Sequence, residues 1–179
     1  MKHLLGIILF FGMTISLAQT KLEMTPKGFA PLEIETPNRP INKLLEQSKE
    51  WAPYYNKDGS DVFDVTENSL TIEAVYENAY SYWNIAVKYN FDIKYSLKIV
   101  FREDQKYTLT FIVKEIYTGR VPLKTTIADF FTPEGKLKDD YKDVKPSLEK
   151  TANKIVKSYI NFIAQQSAPL SVTGVNTKN

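Results

Sequence analysis

Cysteine is absent from the 179-residue chain, and its one histidine is His3, close to the amino terminus. The absence of cysteine excludes disulfide bonds and thiol nucleophiles. We expect residues 1–18 to be cleaved off, and His3 is lost with them. A chain without histidine cannot carry out Ser-His-Asp or Cys-His catalysis. Zinc sites favour the same two residue types. We therefore expect no metal ion, no cofactor and no assignable catalytic residue.

An excess of charge of one sign is also missing. Lysine and arginine total 23 and aspartate and glutamate total 21, giving a formal net charge of +2. A protein that binds nucleic acid usually carries a strong basic patch. We therefore expect no nucleic-acid partner.

Apolar runs of membrane-spanning length are absent as well, since the longest, at residues 4–17, falls short of the roughly 20 residues needed. This run follows Lys2 and ends in Ser16-Leu17-Ala18, which is typical of a secretory signal peptide. Cleavage is predicted after Ala18, giving a secreted or periplasmic protein without a membrane span. A retained amino-terminal anchor is the alternative.

Helical spacing of apolar residues occurs in two stretches. The first begins at Ile41, and Pro53 is expected to end it at Trp51 or Ala52, because a residue before proline disfavours helical geometry. The second covers residues 146–166, with a continuous apolar stripe on one side. Both helices should therefore bury one face.

Alternating apolar and polar residues predict strands. The clearest, at 91–101 and 107–113, are joined by a short polar turn and should form a hairpin. Shorter strands are expected at 31–35, 62–66 and 70–77. Helices on one face of such a sheet give a two-layer α+β fold, in which the odd-numbered side chains from 93 to 113 point towards the helices.

One domain is expected from residue 29 to residue 166. A loose segment at 19–28 precedes it, and a disordered tail at 167–179 follows it. Within the domain, residues 119–145 should form a long connection that packs through three apolar residues, namely Ile127, Phe130 and Phe131.

Three features carry a resemblance to a known family: the signal peptide ending in Ser16-Leu17-Ala18-Gln19, the helix with Leu44-Leu45 leading to Trp51, and the hairpin of 95–101 and 107–113. The chain resembles an uncharacterised family of secreted bacterial proteins, a domain of unknown function with a TATA-binding-protein-like (TBP-like) fold. The resemblance covers about residues 29–166. It implies a curved antiparallel sheet with two helices on one side, and it implies no activity.

Aromatic residues crowd into the stretch between residues 76 and 91, which contains Tyr76, Tyr80, Tyr82, Trp83, Tyr89 and Phe91. Rings exposed near a strand connection can stack on sugars or peptides. Ordinary packing between strands uses the same side chains. The stretch is therefore either a binding patch or part of the core.

The face of the sheet turned away from the helices is called the open face below. Its expected residues mix acids, bases and threonines, including Glu73, Lys94, Ser96 and Lys98, so a DNA-binding saddle is not expected. The face is either a solvated surface with Glu–Lys pairs between strands or a docking surface for a partner or a second copy. With the aromatic stretch, it supplies the candidate residues for ligand or partner binding, namely Tyr76, Tyr80, Tyr82, Trp83, Lys94 and Lys98.

Acidic residues suggest two further sites. The turn at 56–67 has oxygen ligands suited to calcium, but Asp61 occupies the position where an EF-hand loop requires glycine, so a solvated turn is predicted. Paired carboxylates for glycoside hydrolysis stay open, because a sequence does not show which acids converge.

These observations favour a non-enzymatic extracytoplasmic module that binds an unknown protein or small ligand of the cell envelope. The sheet face or the aromatic stretch would provide the contact. A carboxylate-dependent hydrolase acting on glycans or the cell envelope is one alternative, and a self-associating structural domain is another.

Overall fold

The computed structural model describes residues 21–165, so the expectations for residues 1–18 and 167–179 lie outside the described residues. The strands and long helices of the described part follow in the order β1 (Met24–Thr25), β2 (Gly28–Phe29), β3 (Leu32–Glu35), α1 (Ile41–Tyr55), β4 (Ser60–Phe63), β5 (Ser69–Asn84), β6 (Val87–Phe101), β7 (Lys106–Thr118), β8 (Val121–Leu123) and α2 (Val144–Gln165). Two short 3-10 turns, Ile127–Phe130 and Asp139–Tyr141, lie before α2.

The main sheet is antiparallel, with the strand order β3-β7-β6-β5-β4. Strand β8 pairs with the end of β7 that β3 leaves free. Ile99 stands opposite Leu70 on one side and Leu109 on the other, and all three are buried. Since such rows face the helices, the predicted two-layer α+β fold is confirmed. The inward direction of the odd-numbered side chains is confirmed within the two strands, with Val113 half-buried, whereas Glu103 and Gln105 in the turn between them are exposed.

Large rings from both layers fill the core. Trp51 of α1 meets Tyr159 of α2 edge-on at 5.3 Å between ring centroids, and Tyr107 of β7 meets the same ring at 6.1 Å. The hydroxyl groups of Ser48 and Tyr159 share a hydrogen bond of 2.8 Å, so the polar atom of the central ring is satisfied. Burial of each such side chain contributes about 1.5–3 kcal/mol to folding.

The predicted end of α1 is wrong, because the helix continues through Pro53 to Tyr55. Pro53 is exposed and lies near the end of the helix, so its missing N–H removes only one backbone hydrogen bond. The last turn is held by the stacking of Tyr55 on Trp51, at 5.1 Å between centroids. In addition, the backbone and side-chain nitrogens of Asn56 both donate to the Ala52 carbonyl oxygen, at 3.1 and 2.8 Å.

The expectation of a loose segment at 19–28 is wrong for its described part. Strands β1 and β2 pair with each other, and Leu22 and Met24 are buried. The segment docks on α2 through the side chain of Asn153, which is buried. The sequence distance of 131 residues between the partners explains why no local pattern revealed the contact.

The connection from 119 to 145 packs as predicted, with Ile127, Phe130 and Phe131 buried. Its first 3-10 turn begins at Thr126, whose backbone N–H and hydroxyl group both donate to Asp129 Oδ2, at 2.7 and 2.9 Å. These hydrogen bonds lower the pKa of Asp129. Within residues 21–165, no helix has both the length and the hydrophobicity needed to cross a bilayer.

Candidate functional site: the projecting β5–β6 arm

The hairpin of β5 and β6 extends beyond the rest of the sheet. Residues 80–91, called the arm below, form five backbone pairs from Tyr80–Phe91 to Asn84–Val87. Strand β7 reaches only as far as Asp92, which stands opposite Tyr117. The arm therefore continues for about 16 Å as a two-stranded ribbon, at 3.3 Å per residue.

Packed aromatic rings fix the base of the arm. Tyr80 stacks on Phe91 at 5.0 Å between centroids and meets Phe130 edge-on at 5.9 Å. Tyr82 packs against Tyr141 at 5.7 Å. Burial raises the pKa of Tyr80 well above its ordinary value. The base is therefore part of the core, and the connection that precedes α2 sets the direction in which the arm projects.

A bulge between Tyr76 and Tyr80 allows the arm to leave the sheet. Asn78 has a positive φ of 52°, and its backbone N–H donates to Asp92 Oδ1 at 2.7 Å. Ala79, the last residue of the bulge, and Tyr80, the first paired residue after it, are both buried although they are adjacent in sequence. The bulge adds two residues to β5 relative to β6, so Tyr76 before it and Tyr80 after it lie on the same face of the sheet.

Helix α2 covers the edge of β5 beside the bulge. The Thr151 hydroxyl group donates to the Ala79 carbonyl oxygen at 2.5 Å, and the Ser81 N–H donates to the Ser147 hydroxyl oxygen at 3.1 Å. Thr151 and Ser147 are four residues apart and therefore lie on the same face of the helix. Side chains thus replace a neighbouring strand at this edge.

Large apolar side chains are exposed at the end of the arm. The tip is defined here by four of them, with exposed fractions of 52% for Trp83, 93% for Ile85, 51% for Val87 and 46% for Tyr89. Isolated exposed apolar residues are common on protein surfaces, but a group of large ones marks an interaction surface.

The turn at the apex has an unusual composition. Ile85 and Ala86 are its two central residues, with φ values of 42° and 65°, as in a type I′ turn. Such turns favour Asn-Gly, because both central residues need a positive φ. A β-branched residue in this conformation is a steric outlier. Strain of this kind is often found where a side chain is needed for function.

The structure separates the sequence-predicted candidates into three places. Tyr80 lies in the buried base of the arm, Tyr82 is half-buried beside it, and Trp83 is exposed at the tip. Tyr76 lies before the bulge, where its hydroxyl oxygen accepts a hydrogen bond of 2.9 Å from Lys154 Nζ. Lys94 and Lys98 lie on the open face.

On the open face, Lys94 is engaged with neighbouring strands. Its Nζ lies 2.6 Å from Glu73 Oε1, and this hydrogen bond and the charge of Glu73 raise the pKa of Lys94. Tyr117 donates its hydroxyl proton to Glu115 Oε2 at 2.5 Å, which raises the pKa of Tyr117. Lys98 is exposed between Thr71 and Thr110. The Lys94–Glu73 pair is the cross-strand contact typical of a solvated sheet face.

The turn at 56–67 contributes to packing through its first residue. Asn56 is buried, its Nδ2 donates to the Ala52 carbonyl oxygen, and its Oδ1 accepts the Tyr95 hydroxyl proton at 2.7 Å. Within residues 21–165, no group of three acidic side chains lies close enough together to hold a metal ion.

Sequence reasoning missed Ile85 and Val87 as candidate residues. It expected β5 to end at residue 77 and treated the following stretch as a connection. The detectable signal is composition, since the arm contains a single charged residue, Lys88, in a chain that is 25% charged. Together with the two apolar residues at its centre, this stretch predicts an apolar hairpin apex.

No protein-family model and no curated protein matches this chain. The chain is similar to solved structures, among them two bacterial proteins. A TBP-like protein from Parabacteroides distasonis is 14% identical, with a TM-score of 0.48, over 77% of this chain and 90% of its own. A DUF4468 family protein from Bacteroides ovatus is 12% identical, with a TM-score of 0.45, over 86% of this chain and 94% of its own. Neither description states an activity, a ligand or a partner.

Proposed function

We propose that the mature protein is a non-enzymatic extracytoplasmic binding module and that the arm is its contact surface. The observation that carries this proposal is the combination of a fixed base with four exposed apolar side chains at the tip, including Trp83 and Ile85. The predicted signal peptide supports the extracytoplasmic location.

The fixed base favours binding because little conformational entropy is lost when the arm meets its target. Rings of the connection before α2 hold Tyr80 and Tyr82, so the direction of the arm is set in advance. Pre-organisation of this kind leaves more of the contact energy available for affinity. Tryptophan and tyrosine, both present at the tip, are also the residues that most often dominate binding surfaces.

The composition of the apex supports the same conclusion. Asn-Gly at positions 85 and 86 would satisfy the turn with less strain than Ile-Ala does. It would also remove an apolar side chain from water. The Ile-Ala pair is therefore unfavourable for the free protein and is accounted for if Ile85 is buried in a complex.

A capture experiment from isolated cell envelopes tests the proposal. The mature wild-type chain is compared with Trp83→Ala and with the double variant Ile85→Asn/Ala86→Gly, whose turn suits the hairpin. Tyr54→Ala is the matched control, because Tyr54 is an aromatic residue of α1 with a similar exposed fraction, 60%.

The wild type and the Tyr54→Ala control should retain the same envelope components, and both tip variants should lose them. Equal capture by all four proteins would exclude the arm as the contact surface.

A further inference from the structure

We propose that the target of the tip is the surface of a lipid bilayer, which Trp83, Ile85 and Val87 enter to a shallow depth. This inference rests on the proposed function, because it names the partner of the same arm. Apolar and aromatic side chains of the tip would exchange water for the boundary between lipid headgroups and acyl chains.

The distribution of apolar side chains around the arm supports a lipid partner. In a strand, successive side chains point to opposite faces. Trp83 therefore lies on one face of the arm, Val87 and Tyr89 on the other, and Ile85 at the apex. A folded protein partner usually covers one face, whereas a bilayer surrounds an inserted tip on all sides.

The order of side chains along the arm also fits a bilayer interface. The aliphatic residues Ile85 and Val87 are at or next to the apex, and Trp83 and Tyr89 follow one or two residues further back. Tryptophan and tyrosine are enriched where hydrocarbon meets headgroups. Lys88 is paired with Trp83, so its ammonium group can reach the phosphates while its stem lies along apolar surface.

The charges at this end of the molecule complement phospholipid headgroups. Residues 80–91 contain no carboxylate. Asp92, at the base, accepts a hydrogen bond from Asn78, and the exposed Arg120 lies in the nearby β7–β8 turn. Asp139 and Asp140 directly precede Tyr141, whose ring packs against Tyr82 at the base. Their repulsion from phosphates limits how far the arm can enter.

The backbone sets a second limit on depth. Beyond Asp92 each strand of the arm pairs only with the other, so its outer edges carry polar groups that need water. Open strand edges are not tolerated in the hydrocarbon interior. Insertion is therefore restricted to the apex, and the contact is peripheral and reversible.

Vesicle binding tests the inference with a built-in reporter. The chain has two tryptophans, and Trp51 is fully buried while Trp83 is at the tip. Emission changes on addition of vesicles therefore report on Trp83. The mature protein is mixed with phosphatidylcholine vesicles or with phosphatidylethanolamine–phosphatidylglycerol vesicles, and co-sedimentation and tryptophan emission are measured.

The wild type and Tyr54→Ala should co-sediment with both kinds of vesicle, and their emission should shift to the blue. Ile85→Asn/Ala86→Gly should reduce the partition coefficient by about tenfold or more, as expected when a large apolar side chain no longer leaves water. The anionic vesicles should bind only roughly fivefold better, because the arm has one lysine. Trp83→Phe should still sediment but lose the emission change.

Three results would overturn the inference. The first is that the wild type binds neither kind of vesicle while envelope capture still depends on the tip. In that case the proposed function holds and the partner is a protein. The second is concentration-dependent dimerisation that the tip variant abolishes, as measured by light scattering without vesicles. The third is vesicle binding that the tip variant retains. Failure of both vesicle binding and envelope capture would contradict the proposed function itself.

Discussion

The side-chain amide of Asn153 binds both backbone groups of Leu22. Leu22 N–H donates to Asn153 Oδ1 at 2.8 Å, and Asn153 Nδ2 donates to the Leu22 carbonyl oxygen at 2.9 Å. The amide replaces the neighbouring strand that Leu22 lacks, so a buried asparagine on α2 holds the start of the described chain against the helix.

Asn153→Ala should lower the free energy of unfolding by about 2 kcal/mol, because it leaves two buried backbone groups of Leu22 without partners. Chemical denaturation measures this change. Asn161→Ala is the control, since Asn161 is exposed on the same helix and should be nearly neutral. Equal stability of the two variants would show that the amide does not hold the segment.

Thr151→Val should destabilise the protein by about 1–2 kcal/mol, although the side chain keeps its shape. The Ala79 carbonyl oxygen loses its donor at the bulge, and a buried acceptor without a partner is unfavourable. Thermal unfolding of this variant is compared with that of Thr118→Val, an exposed position in β7. If both variants melt at the wild-type temperature, the α2 hydroxyl group does not secure the base of the arm.

Ile85→Asn/Ala86→Gly should raise the free energy of unfolding by about 1 kcal/mol, because both residues suit the positive φ values of the turn. Ala86→Gly alone should give a smaller gain. Denaturant titration of the wild type, Ala86→Gly and the double variant measures the order of their free energies of unfolding. A double variant less stable than the wild type would mean that the turn carries no strain, and the reasoning from apex composition would fail.

Alkaline unfolding should be cooperative. Burial raises the pKa of Tyr95, Tyr107 and Tyr159 above the ordinary value of about 10. At a pH below the ordinary pKa, these tyrosines are protonated in both the folded and the unfolded protein. As the pH rises further, the unfolded chain releases protons that the folded chain retains, so stability falls.

Tyrosinate absorbance and circular dichroism, followed together above pH 10, test whether stability falls as the pH rises. The absorbance of the buried tyrosines should rise only as the circular dichroism is lost. Complete ionisation near pH 10 with the fold intact would contradict their burial.

The sequence was sufficient for the parts of the fold with regular periodicity. The alternation through 91–101 and 107–113 and the apolar stripe of α2 both predicted the observed burial. Pro53 misled the prediction of α1, because the stacking of Tyr55 on Trp51 holds the last turn of the helix in spite of the proline. Such tertiary contacts can override a local preference, and the spacing of residues does not reveal them.

The arm was missed for a related reason. The bulge adds two residues to β5 and buries Ala79 beside Tyr80, so the alternation that marks β5 is interrupted between Tyr76 and Tyr80. The sequence pattern of β5 therefore stops at residue 77. Of the candidate binding residues, Trp83 lies at the tip, but its exposure depends on where β7 ends, which the sequence does not show.

Quenching of tryptophan emission by iodide, with and without isolated cell envelopes, tests most directly whether the tip is a contact surface. The signal of Trp83 is obtained by difference between the wild type and Trp83→Phe, which leaves the buried Trp51. Trp83 should be freely quenched in buffer and shielded when envelopes are present. Unchanged quenching in the presence of envelopes, or a Trp83 already shielded in buffer, would contradict the proposed role of the arm.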